Sequence, residues 1–528
     1  MNSTATAARS DMPPDVVRLV DLIVRPGRHP LTPDPAEDRL AEAAGAASGR
    51  VGKDTVTSPG RLRLALGAAR RTLPERLLVS VNQEGGRLNA LDWPDLAQLP
   101  GSLALGAADR EDLAERAGAA IARQLRTVGL TWNLAPVVDL ASWPAAGAVG
   151  TRSFGADPVR VAVLAAAWVR GLQAGGVAAT AKHFPGLGGV MADPHHSAPV
   201  VERLAPGSLL PFISVARAGA ACVMVASHTV LELDDQPALA SPRVLTLLRE
   251  EVGFTGVAVS ENLSIPAVHG PLGGAPAAAV AAVAAGVDLV MLDSEVSRGH
   301  HDQDARVRAV RQRVTVVEAL ARAVESGRIP LKRIEEAAGR VLALHRQFGL
   351  GPQEALGAWA DANRAAGEAA EQIAEASVTA LRGQHLLPLA GAGRPVAAVR
   401  VPNAGERRAD SARHAPDTFP QALGAWRPVV ALDSRNPVPD AVETVAVYGY
   451  DTAGPGRTSA ASAEANRHVA AGRTVVQVAF GNPDELAGST AHILIAAYSP
   501  HPASARAVAT TLLHHGRTPG RLPVGQAQ

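Results

Sequence analysis

The segment richest in reactive side chains is Lys182-His183-Phe184-Pro185-Gly186-Leu187-Gly188-Gly189, continuing to Asp193-Pro194-His195-His196. An apolar run, Val177 to Ala181, delivers a cation and an imidazole at its end. Pro185 and the glycines then build a shaped loop, because glycine admits backbone angles and close approaches closed to other residues. That loop presents Asp193 two positions before His195. A carboxylate beside an imidazole orients and polarises the ring, which makes a proton donor and acceptor tuned near neutrality. A surface loop with incidental histidines is the competing reading. A metal site is disfavoured, since His195-His196 lacks the helical histidine spacing of zinc peptidases.

Other apolar runs end in the same way. Asn82-Gln83-Glu84 follows Leu77 to Val81, and Asp139 follows Leu134 to Val138. Ser227-His228 follows Cys222 to Ala226, and Glu261-Asn262 follows Val257 to Ser260. With Lys182-His183 that makes five polar strand ends, which argues for one shared mouth. A further apolar run covers Val287 to Leu292. Helical spacing fills the intervals at Glu111 to Val128, Pro158 to Ala174 and Pro242 to Val252. Strands alternating with helices imply parallel pairing through helical crossovers. Sustained from Leu77 to Leu344, the pattern predicts a (β/α)8 TIM-like barrel, whose chemistry belongs at the C-terminal ends of its strands. Asp139 and Asp288 fit structural bracing better than catalysis.

A long helical stretch, Val314 to Gln347, closes this region, and Gly349-Leu350-Gly351-Pro352 breaks it. Ala355 to Leu381 reads as a helical connector. A second α/β pattern follows, with strands at Val396 to Val401, Val429 to Leu432, Thr444 to Val447, Val475 to Phe480 and Ile493 to Ala497. The expected domains are a barrel over 1–350, a helical linker over 351–380 and a smaller three-layer α/β sandwich over 381–528. The last carries no GxGxxG or GxxxxGK[ST] fingerprint for a nucleotide.

Composition bounds the partners. Of 528 residues, 47% are hydrophobic and 19% charged, as in a well-packed chain of more than one domain. Net charge is 51 − 50 = +1, so no basic excess points to nucleic acid or an anionic membrane. The single cysteine, Cys222, lies in an apolar run and is expected to be a small core residue. Met1 to Pro14 lacks a charged segment followed by an apolar one, and the apolar run Ala277 to Ala285 is too short to span a bilayer. The expected location is the cytoplasm.

The segment from Lys182 to His195 resembles the Lys-His-Phe-Pro-Gly-His-Gly-Asp…Asp-Ser-His stretch of glycoside hydrolase family 3, in its β-N-acetylglucosaminidase branch. Further resemblances follow in order: Asn82-Gln83-Glu84-Gly85-Gly86-Arg87, Leu134 to Asp139, Arg152-Ser153-Phe154-Gly155-Ala156-Asp157-Pro158, Val223 to His228, and Gly253-Phe254-Thr255-Gly256-Val257 leading to Ser260-Glu261-Asn262-Leu263. The end of the chain, with Gly481-Asn482-Pro483 and Gly520 to Val524, resembles the family's C-terminal α/β domain. By that resemblance Asp193 and His195 form the acid/base dyad and residue 261 is the nucleophile. Lys182, His183 and Arg152 bind the sugar, and Asn82 faces its hydroxyls. No metal or organic cofactor is implied, and the partner is a small-molecule or glycan substrate.

Several positions depart from the pattern. Glu261 and Asn262 stand where the family has two Asp residues, and Asn82 replaces another Asp. Ala90 stands where this branch has Arg, and Leu187 and Gly189 replace the His and Asp of the loop. A Glu nucleophile keeps the carboxylate but moves its oxygens by about 1 Å, a displacement that can cost about 10²-fold in rate. The expected activity is that of a retaining β-N-acetylhexosaminidase-like glycosidase acting on an N-acetylglucosamine-type or modified amino sugar. A non-catalytic sugar-binding member and a glycoside phosphorylase are the alternatives.

Overall fold

A computed structural model describes residues 14–25, 48–51, 58–72, 78–141, 149–188, 190, 198–292, 303–350, 357–391, 393–402, 418–449 and 458–524. Asp193 and His195 lie outside the described residues.

The first sheet has eight strands, all parallel: β1 (Val24–Arg25), β2 (Ser48–Val51), β3 (Leu78–Val81), β4 (Trp132–Asn133), β5 (Ala178–Phe184), β6 (Cys222–Val225), β7 (Val257–Asn262) and β8 (Leu289–Met291). Each strand pairs with its neighbour in the chain from β2 round to β8, and β8 pairs with β1 through Val24 and Val290. Strand order that follows chain order and returns to the first strand is the order of a (β/α)8 barrel. The strands are buried on both faces, which is why they read as continuous apolar runs rather than alternating ones. The helix Pro158–Ala174 starts with Pro at its first position, and Asp157 accepts hydrogen bonds from the amides of Val159 and Arg160.

The second sheet runs β9 (Thr379–Arg382), β14 (Ile493–Ala496), β13 (Thr474–Ala479), β12 (Thr444–Gly449), β10 (Val396–Val401) and β11 (Val429–Asp433) in spatial order. Five strands are parallel and β9 is an antiparallel edge. Alternate residues of one strand enter different apolar layers: Val396 and Ala398 pack on one side, Ala397 and Val399 on the other. The second of these layers is continuous with the apolar core of the barrel.

Four expectations need correction. Two strands, β1 and β2, precede Leu77 and complete the barrel. The apolar run Leu134 to Val138 is not itself a strand: pairing occurs at Trp132–Asn133 and again at Val137, since Pro136 between them has no N–H to donate. The stretch Val314 to Gln347 is two helices, Gln303–Glu325 and Leu331–Phe348, parted at Gly327 (φ +74°) and Pro330. The connector helix, Trp359–Ser377, stops short of Leu381, which lies in β9. Among the described residues no helix is long and apolar enough to cross a membrane.

Candidate active site

The polar strand ends meet at one mouth, at the C-terminal ends of β3, β5, β6 and β7 and of the segment after β4. Two breaks in sheet register fall at this mouth. One separates Lys182 from Phe184 on β5, and the other separates Val259 from Asn262 on β7. Local irregularity of this kind re-aims side chains, and here it spans His183 and Glu261.

Glu84 is the centre of charge. It stands in a short hairpin, Gln83–Gly85 against Leu88–Asn89, that continues from β3. Arg152 grips its carboxylate with two parallel bonds, Nε to Oε2 at 2.8 Å and Nη2 to Oε1 at 2.9 Å. Lys182 Nζ lies 2.5 Å from Oε1. Burial opposes the charge on Glu84, but Arg152 and Lys182 outweigh it and hold its pKa down to about 2. For Arg152, burial works against its charge too. The field and hydrogen bonds of Glu84, with the fields of Asp139 and Glu261, prevail and raise its pKa.

Lys182 is buried, at 3% exposure. Besides Glu84, its ammonium donates to the Leu134 carbonyl at 2.5 Å and to Asn82 Oδ1 at 3.3 Å. The hairpin returns Ala90 beside Asn82, with the Ala90 amide donating to the Asn82 carbonyl at 2.8 Å.

Asp139 fixes His183. Its Oδ2 lies 2.7 Å from His183 Nδ1, and the backbone amides of His183 and Leu187 donate to the same carboxylate. Burial would raise the pKa of Asp139, yet the His183 charge and these hydrogen bonds lower it. The ring is thereby held with Nδ1 against Asp139, and no described residue bonds its Nε2. Leu187 packs with Val137, Val149 and Val190, so the base of the loop leading toward Asp193 rests on apolar contacts.

Glu261 is 8% exposed. Its Oε2 accepts from the Ser227 amide at 2.9 Å and from Ser227 Oγ at 2.5 Å. No described residue donates to Oε1. Asn262 turns its Oδ1 to the amide of Ser264 instead. His228 is fully buried. Burial pushes its pKa down to about 4, against the opposing fields of Glu261 and Asp139, so the ring is neutral at neutral pH.

The structure therefore gathers Asn82, Arg152, Lys182, His183 and Glu261 at one mouth. Glu84, Asp139 and Ser227, expected among the polar strand ends but given no role in binding or catalysis, find partners here: Glu84 holds Arg152 and Lys182, Asp139 holds His183, and Ser227 holds Glu261. A chemical signal points to Glu84, since the cations of Lys182 on β5 and Arg152 in the turn Gly150–Arg152 need a carboxylate between them.

Residues 52–344 match the glycosyl hydrolase family 3 N-terminal domain. The chain belongs to glycosyl hydrolase family 3. Within this family it is 39% identical over 235 residues to the β-hexosaminidase of Stenotrophomonas maltophilia (strain K279a), a match covering 43% of this chain and 69% of that one. It is 38% identical over 241 residues to the β-hexosaminidase of Pseudomonas aeruginosa (strain LESB58), covering 44% and 71%. Its fold is similar to that of a family 3 β-N-acetylglucosaminidase from Paenibacillus sp. str. FPU-7, with a TM-score of 0.81 and 27% identity over 96% of this chain and 98% of that one. The family 3 fold thus extends over both domains.

Proposed function

We propose that this family 3 protein is a retaining β-N-acetylhexosaminidase-like glycosidase that removes an N-acetylglucosamine-type or modified amino sugar from a glycoconjugate. One observation carries this reading: Glu261 has one carboxylate oxygen anchored by Ser227, while the other has no donor among the described residues. A nucleophilic carboxylate needs that division, one oxygen fixed and one presented to the anomeric carbon.

In this reading Glu261 attacks the anomeric carbon and forms a glycosyl-enzyme ester. His195, oriented by Asp193, protonates the leaving oxygen and then activates the water that hydrolyses the ester. The roles of Asp193 and His195 rest on the family resemblance alone. His183 Nε2, Arg152 and Lys182 hold ring hydroxyls, and Asn82 offers an amide where the family places a charge. The Glu84 carboxylate holds Arg152 and Lys182 in place. The longer Glu261 side chain shifts the attacking oxygen, which fits a pocket shaped for a sugar other than plain N-acetylglucosamine.

The test is nitrophenol release from a panel of nitrophenyl β-glycosides, by the protein and by Glu261→Gln, with and without phosphate. Turnover lost in the variant supports a glycosidase with a Glu nucleophile, and the best substrate identifies the sugar. Strict dependence on phosphate would make the reaction phosphorolysis. Absence of turnover, with sugar-dependent thermal stabilisation, would leave a binding protein.

A further inference from the structure

The Glu84 hairpin is held from outside the barrel. Gly86, two residues after Glu84, turns at φ +60°, and a Cβ there would lie 2.7 Å from the Gly101 Cα. This crossing needs glycine. The Gly86 carbonyl oxygen accepts two hydrogen bonds. One comes from Asn89 Nδ2 within the hairpin, at 2.9 Å. The other comes from His501 Nε2 in the second domain, at 2.7 Å and buried.

His501 occupies the loop after β14, just before the helix Pro502–Thr510. In that loop Tyr498 adopts φ +59°, a left-handed backbone that a bulky residue seldom takes. Its ring is buried in the apolar layer continuous with the barrel. Strained, buried backbone of this kind persists where surrounding structure determines it and something depends on it.

A second contact, on a different segment, reaches the other half of the ion pair. Arg152 lies in the turn Gly150–Arg152, followed by Ser153, whose Oγ donates to the Asp139 carbonyl at 2.6 Å. Three residues on, the Ala156 amide donates to the Pro523 carbonyl at 2.9 Å. A Cβ on Gly155 would lie 2.5 Å from that same oxygen. The segment around Pro523 is itself pinned at both domains: the Gly520 amide donates to Val378 and the Arg521 amide to Ala107 of the barrel.

We propose that the second domain positions the barrel's site, with His501 as a positioning residue for the Glu84 hairpin and the Pro523 segment fixing the Arg152 turn. The bidentate Glu84–Arg152 pair requires both segments at once, so the second domain sets the geometry in which Arg152 and Lys182 meet a ligand. The effect on sugar recognition rests on the functional reading above; the bracing of the hairpin does not.

The test compares His501→Phe, which keeps ring volume and deletes the donor, with His501→Gln, whose amide can donate to the same carbonyl. Amide hydrogen exchange is followed over residues 82–91, together with KM and kcat on the best nitrophenyl glycoside. Loss of one buried hydrogen bond should accelerate exchange in the hairpin about five- to tenfold in the Phe variant and raise KM by a similar factor, with smaller change in kcat. His501→Gln should restore both. Exchange over 82–91 that stays at the wild-type rate in His501→Phe, with only global stability altered, overturns the proposal. The exchange measurement decides this even if no glycoside is turned over. Turnover with altered exchange but unchanged KM would keep the brace and overturn its part in recognition.

Discussion

Lys182 Nζ and Glu84 Oε1 lie 2.5 Å apart, and both side chains are 3% exposed. With Arg152 on the same carboxylate, Glu84 is a buried anion between two cations, and those cations keep it ionised. Removing one member of such a group leaves uncompensated charge out of water, at a cost of about 3–5 kcal/mol. Glu84→Gln keeps the shape and deletes the charge. It should lower unfolding stability by that amount, measured by urea denaturation. A loss below ~1 kcal/mol would mean the cations find other partners.

Stability should fall on acidification in two successive windows. The folded protein holds His228 at a pKa of about 4 against an ordinary 6.5. Between those values the unfolded chain takes up a proton that the folded chain refuses, so stability falls as pH drops from about 6.5 to about 4. Glu84 has a folded pKa of about 2 against 4.5, so its contribution is whole above 4.5 and is lost as pH falls toward 2. His228→Gln should flatten the upper window and leave the lower one. Urea midpoints measured from pH 7 to pH 3 for both proteins would show it, and identical slopes would contradict the assignment.

Ser227→Ala removes the 2.5 Å hydroxyl bond to Glu261 and leaves the amide bond in place. A hydrogen bond to a charged group contributes roughly 1.5–3 kcal/mol. If Glu261 is the nucleophile, kcat/KM should fall about 10- to 100-fold at nearly constant melting temperature. An unchanged kcat/KM would show that the orientation of Glu261 does not limit the reaction.

Glu261→Asp restores the shorter carboxylate of the family pattern but withdraws it from Ser227. In this site, built around the longer side chain, the expected result is a loss of about 10²-fold in kcat on the protein's own best substrate. A gain in kcat would show that Glu261 impairs an ancestral Asp chemistry rather than serving a different sugar.

How much of this was legible in the sequence follows from where the apolar information lies. Strands β5, β6 and β7 are buried on both faces and announced themselves as runs such as Cys222-Val223-Met224-Val225. By contrast β1 has two residues and β2 reads Ser-Gly-Arg-Val, so their pairing comes from barrel closure rather than local preference. The edge strand β9 follows an Ala- and Glu-rich helix with no turn residue between them, which hid the boundary at Val378. At the site, Lys182, His183 and Glu261 were readable as polar strand ends, and Arg152 through the family resemblance. Glu84, Asp139 and Ser227 act through those residues, and only the three-dimensional arrangement shows Asp139 oxygens against both the ring and the backbone of His183.

The central claim is that Glu261 forms a covalent bond to the sugar. It is tested most directly by incubating the protein with a 5-fluoro glycosyl fluoride of its best substrate sugar, which slows breakdown of the glycosyl-enzyme, and measuring peptide masses after digestion. The account predicts one added glycosyl mass on the peptide containing Glu261, absent in Glu261→Gln. A label on a different carboxylate, or efficient turnover of the sugar with no adduct at residue 261 under any trapping condition, would contradict it.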